Sequence, residues 1–156
     1  MRPLLLAWGN RLRGDDGAAW LLARQLRNRG WPVRCYHQLT PELVEVMVAH
    51  RQVVFADAAL SGGVCKLVEL SPGGPVGAGH LASPAGLLQL CHDLYETSPR
   101  AWLLSLPGQD FSLGTRLSGP ARRAVQQGRL ELERFFGGGN ETKTSVDHGS
   151  CGTRLS

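Results

Sequence analysis

The feature that most constrains this chain is an acidic turn, Gly9-Asn10-Arg11-Leu12-Arg13-Gly14-Asp15-Asp16-Gly17, set between an apolar run and a helical pattern. Pro3-Leu4-Leu5-Leu6-Ala7-Trp8 reads as a buried first strand, and from Gly17 onward Ala19, Leu22, Ala23 and Leu26 recur at helical spacing. A strand passing through a glycine-bracketed loop into a helix is the opening of an α/β fold, and such loops are where those folds place chemistry. Asp15 and Asp16 stand where the helix begins and face its positive end. Either could cap the helix by accepting a free first-turn N–H. One cap needs one carboxylate, so the other is left for a cation, a proton or a substrate contact.

A phosphate-binding loop has the same Gly9 to Gly14 spacing but continues with Lys and Ser or Thr, whereas this chain continues with two carboxylates that would repel a phosphate. The dinucleotide pattern G-x-G-x-x-G is absent as well.

The rest of the chain alternates. Pro32 to His37 reads as a second strand, and Thr40-Pro41-Glu42 as the start of a helix to about His50. Val53-Val54-Phe55-Ala56 is a third strand closed by Asp57, and Val64 to Leu70 a fourth whose period-2 alternation makes it half exposed or an edge strand. After a Gly/Pro-rich loop, Ser83-Pro84 opens a third helix, Ala101 to Leu106 forms the last strand, and Pro107 to Leu117 is loop. Ser118-Gly119-Pro120 starts a final helix burying Val125, Leu132 and Phe136, with Gly128 weakening its middle. The expectation is a three-layer α/β/α domain over residues 1–136, with a mainly parallel, five-stranded twisted sheet, followed by a disordered tail over 137–156 that is too polar to order itself.

Composition narrows the function. With 42% hydrophobic residues over 156 positions the chain can build one core but hardly two. The formal charge of +4 comes with arginines spread over helix faces, so no nucleic-acid partner is expected. No apolar run approaches the roughly 20 residues of a membrane helix, so a cytoplasmic protein without membrane insertion is expected. Cys35, Cys65, Cys91 and Cys151 form no C-x-x-C pair.

Three groups fall at or after strand ends: Asp16 after the first, Asp57 closing the third, and His80 in the loop before the third helix. Two carboxylates and an imidazole make a three-ligand set with an open position, suited to nickel or zinc better than to magnesium. His37 also ends a strand and is a candidate supporting residue.

The pattern Gly9-Asn10-x-Leu12-x-x-Asp15-Asp16-Gly17, the strand ending Phe55-Ala56-Asp57-Ala58, and a histidine shortly before the Leu87-Leu88 helix resemble the nickel-iron hydrogenase maturation endopeptidases, from Met1 to about Phe136. The resemblance implies an endopeptidase that trims the C-terminal extension of a hydrogenase large-subunit precursor once nickel has been inserted. It carries the metal-contacting roles over to Asp16, Asp57 and His80, and the nickel would be the precursor's own. Asp16 stands where relatives often have Glu, and Ala7-Trp8 replaces a more glycine-rich approach to Gly9. The same residues would also serve a non-hydrolytic metal-sensing chaperone of that precursor, or a metal-dependent hydrolase of small molecules.

Overall fold

The computed structural model describes residues 2–60, 63–73 and 82–155, with side chains as far as Gly137. The first apolar run becomes β1 (Leu4–Trp8), buried along all but its last residue. A 3-10 turn (Gly14–Gly17) feeds α1 (Ala18–Arg27), whose apolar positions Ala19, Leu22, Ala23 and Leu26 are all buried. There follow β2 (Val33–Tyr36), α2 (Leu43–Val48), β3 (Gln52–Leu60), β4 (Lys66–Leu70), α3 (Pro84–Tyr95), β5 (Arg100–Gly108) and α4 (Gly119–Leu155).

The strands form one sheet in the order β2-β1-β3-β5-β4. All neighbouring pairs are parallel except β4 with β5, which is antiparallel and puts the alternating strand at the edge, as its polar side requires. Side-chain alternation along the central strands divides the core. Leu5, Ala7, Val54 and Ala56 pack under α1 and α4. Leu4, Leu6, Val53 and Phe55 pack under α2 and α3. The result is the expected three layers.

Several elements differ from the sequence reading, β5 among them, which runs on through Pro107 to Gly108 where the sequence reads as loop. α2 begins at Leu43 rather than Pro41, because the amides of Leu43 and Val44 bond the carbonyls of Thr40 and Pro41 in a tighter turn before the helix proper. β3 continues past Asp57 to Leu60, because β5 pairs with it residue for residue from Gln52↔Arg100 to Leu60↔Gly108 and so supplies a ladder that the weak strand formers Ala58 and Ala59 do not call for themselves. Ser83 caps α3 by accepting the Gly86 amide at 3.1 Å, as the Ser-Pro signal predicts. The backbone of α4 is helical to Leu155, beyond the boundary read after Phe136.

Candidate active site

In the strand order β2-β1-β3, the chain leaves β1 toward one side and returns as β3 on the other. The carboxyl ends of β1 and β3 therefore flank a topological switch point, the crevice where open α/β sheets bind ligands. Asp16 follows β1 and Asp57 rides on β3, so both come to this crevice.

Asp57 reaches it by register rather than by ending its strand. Ala7 pairs with Ala56, so Asp57 stands one step further on, level with Trp8, where β1 stops. The expectation that Asp57 closes β3 is thus corrected: it lies within the strand, at the point where the β1 ladder runs out.

The loop after β1 is built to hold Asp16. Gly9 has φ +147°, and a Cβ there would stand 2.2 Å from the Asp16 carbonyl oxygen, so only glycine lets the two segments approach this closely. The indole Nε1 of Trp20 donates to the Gly9 carbonyl at 2.9 Å, and the Asn10 side chain accepts from the Leu12 amide at 2.9 Å, which closes the turn on itself. The Asn10 amide then donates to Asp16 Oδ2 at 2.6 Å and orients that carboxylate. Burial first, and then the negative charge of Asp16, push the Asp57 carboxyl up to about 7 against the opposing pull of the Ala58 amide. A carboxylate pair under such mutual repulsion is relieved by a proton or by a cation between its members.

Asp15 has a different role from either reading made of it. It caps neither the 3-10 turn nor α1. Fully buried, it accepts hydrogen bonds from the amides of Gln109, Asp110 and Ser118 at 2.7–2.9 Å and from the Ser118 hydroxyl at 2.6 Å. Burial raises its pKa, but the Asp110 amide, the Ser118 hydroxyl and amide and the Gln109 amide together outweigh this and leave it lowered. Asp15 is a structural hub that ties the β5–α4 loop to the acidic turn, over some ninety positions of sequence to Gln109 (|i−j| = 94). No local signal announces such a partner; the only clue is that two carboxylates occupy a place where a cap needs one.

His80 lies outside the described residues. Among the described residues no group of three His, Cys, Asp or Glu side chains could hold a metal ion, so Asp16 and Asp57 are the part of the expected set that is brought together. His37 is exposed and shares a groove with Gly9 and Asn10.

No family model and no curated protein matches the sequence. Solved structures do match the fold. A [NiFe] hydrogenase maturation protease, HybD, from Thermococcus kodakarensis is 24% identical with a TM-score of 0.66, over 87% of this chain and 99% of that one. The hydrogenase maturating endopeptidase HybD from E. coli is 16% identical with a TM-score of 0.65, over 85% and 90% of the two chains. The endopeptidase HycI from Escherichia coli is 20% identical with a TM-score of 0.61, over 86% and 91%. The chain has the fold of these maturation proteases along nearly their whole length.

Proposed function

We propose that this chain is an endopeptidase that removes the C-terminal extension of a nickel-loaded [NiFe] hydrogenase large-subunit precursor. The observation that carries this reading is the meeting of Asp16 and Asp57 at the switch point of a fold shared with maturation proteases. Asp16, Asp57 and His80 would meet the nickel held by the precursor, which is part of the substrate and not a resident cofactor. Carboxylate oxygens and an imidazole nitrogen suit that ion, and its positive charge relieves the repulsion within the acidic pair.

Docking the nickel at the crevice brings the nearby peptide bond to the carboxylates. Water adds across that bond, yielding a new carboxylate on the mature subunit and a new amine on the released extension. Asp57, which holds a proton more readily than an ordinary carboxyl, is the group proposed to exchange protons with the attacking water or the leaving amine, which makes the enzyme aspartic in type. Asp16, oriented by the Asn10 amide, is the group proposed to hold position on the metal. Cleavage conditional on nickel makes the reaction a checkpoint on metal insertion. The setting proposed is the cytoplasm, in keeping with the unpaired Cys35, Cys65 and Cys91; among the described residues no helix is long and apolar enough to cross a membrane.

The test is the intact mass of a large-subunit precursor incubated with this protein, with nickel inserted and with nickel absent. Loss of a C-terminal peptide from the nickel-loaded sample alone is expected. Association without trimming of either sample would replace this reading with the chaperone. Activity on small molecules without any protein partner would replace it with the hydrolase.

A further inference from the structure

The arginines that read as dispersed along the sequence converge in space. A groove of about 1340 Å³ starts at Gly9 and Asn10 and runs along α1 and α4. Arg11, Arg24, Arg27, Arg116, Arg122 and Arg129 line it, and among the described residues no Asp or Glu does. Of the six, only Arg129 has an ion pair among the described residues, with Glu133 at 3.2 Å. Arg24, Arg116 and Arg122 are exposed. Arg11 lies over the Trp20 ring and Arg27 donates to Cys35 Sγ, but like charges gathered with few carboxylate partners cost folding free energy, so their concentration on one wall points to an anionic occupant.

Size and position identify the kind. The groove is larger than the roughly 300–1,000 Å³ of small-molecule pockets. Asn10, whose amide holds Asp16, is one of its lining residues, so a substrate acted on at the carboxylate pair can continue into it. A single-stranded nucleic acid is held by open aromatic faces on which its bases stack. Trp20, the aromatic residue of the groove, has the Arg11 guanidinium 4.4 Å over its ring and its N–H committed to Gly9. Leu12, Leu21 and Leu117 give the groove apolar footing for side chains between acidic positions.

We propose that the arginine-lined groove along α1 and α4 holds an acidic peptide segment of the protein processed at the Asp16–Asp57 crevice, its carboxylates meeting Arg24, Arg116 and Arg122. The inference rests on the endopeptidase reading for the identity of that protein. Arginine suits the task because its planar fork grips a carboxylate through two parallel hydrogen bonds.

The experiment is fluorescence anisotropy of the full chain with a short labelled peptide rich in Glu, its Gln counterpart, and a single-stranded oligonucleotide of equal charge. The Glu peptide is expected to bind, and to weaken several-fold as salt is raised toward 0.5 M. Binding should fall about tenfold or more in Arg24→Glu/Arg122→Glu and in the milder Arg24→Gln/Arg122→Gln, both positions being exposed and so tolerant in the fold. It should be unchanged in Asp57→Asn. Absence of binding, equal binding of the Gln peptide, indifference to the arginine variants, or tighter binding of the oligonucleotide would overturn the proposal. Precursor trimming separates the two readings. Peptide binding at the arginines with an untrimmed precursor leaves the groove standing and sinks the endopeptidase. Trimming whose KM ignores the arginine variants does the reverse.

Discussion

A carboxylate offers about four lone-pair sites, and at Asp15 four donors fill them: three backbone amides and the Ser118 hydroxyl. Asparagine there would aim an NH₂ at donors, so Asp15→Asn is expected to cost about 3 kcal/mol of stability in urea unfolding. The pH dependence follows from the lowered pKa: the unfolded chain holds the proton more tightly than the fold, so this contribution is whole above about pH 4 and is lost on acidification. Asp57 has the opposite sign. Raised to about 7, it keeps a proton in the fold that the unfolded chain has already released, so the stability it lends below about pH 4 is lost as pH rises to about 7. Asp57→Asn is therefore expected to gain on the parent between about pH 4 and about pH 8 in thermal melts across that range, while trimming no precursor. A variant that trims normally would remove Asp57 from the proposed chemistry. The neighbouring pair Asp15-Asp16 thus divides into a buried tie and a half-buried site carboxylate, a distinction set by what each side chain faces and not by residue type.

Among the elements, α4 shows how packing overrides propensity. Gly128 is a poor helix residue in isolation, yet a Cβ at this position would lie 2.9 Å from Leu106 Cδ2 and 3.1 Å from Leu104 Cδ2. Both leucines are fully buried on β5. Helix propensity alone favours Gly128→Ala by about 1 kcal/mol. Displacing two packed leucines offsets that gain, so calorimetry is expected to find the alanine variant no more stable than the parent, and Gly128→Val lower by about 2 kcal/mol. The same close approach brings α4 down on the sheet, where Ser118 at its start can reach Asp15. β3 is the second case: its sequence reads as four apolar residues and an acid, but pairing with β5 draws it out to Leu60.

At the scale of the molecule, two helical layers close both faces of the sheet, and the α1–α4 layer is sealed by Phe135 and Phe136 against Trp102, with Phe136 also meeting Trp31, at ring centroids 5.0–6.1 Å apart. Those contacts precede Gly137, and the sequence beyond is polar and glycine-rich. A chain ending at Gly137 is therefore expected to keep its Tm within about 3 °C of the full chain, a larger loss giving residues 138–156 a part in the domain. The crevice at the β1–β3 switch point and the arginine groove share the Gly9–Asn10 segment, so catalysis and substrate holding are proposed to be continuous across one surface.

The sequence by itself determined the alternation of strands and helices, the three layers, the acidic turn and the nomination of Asp16 and Asp57, because each is written in local periodicity or in the place of a residue along its own strand. Thr40-Pro41 misled by two residues, since a turn of tighter hydrogen bonding satisfies the same cap signal. Only the tertiary structure decided that Asp57 faces the end of β1 from within β3, that Asp15 binds a loop far along the chain, and that six separated arginines share one groove. These depend on strand register and on how α4 packs, which are properties of pairs of segments, and no single stretch of sequence carries them.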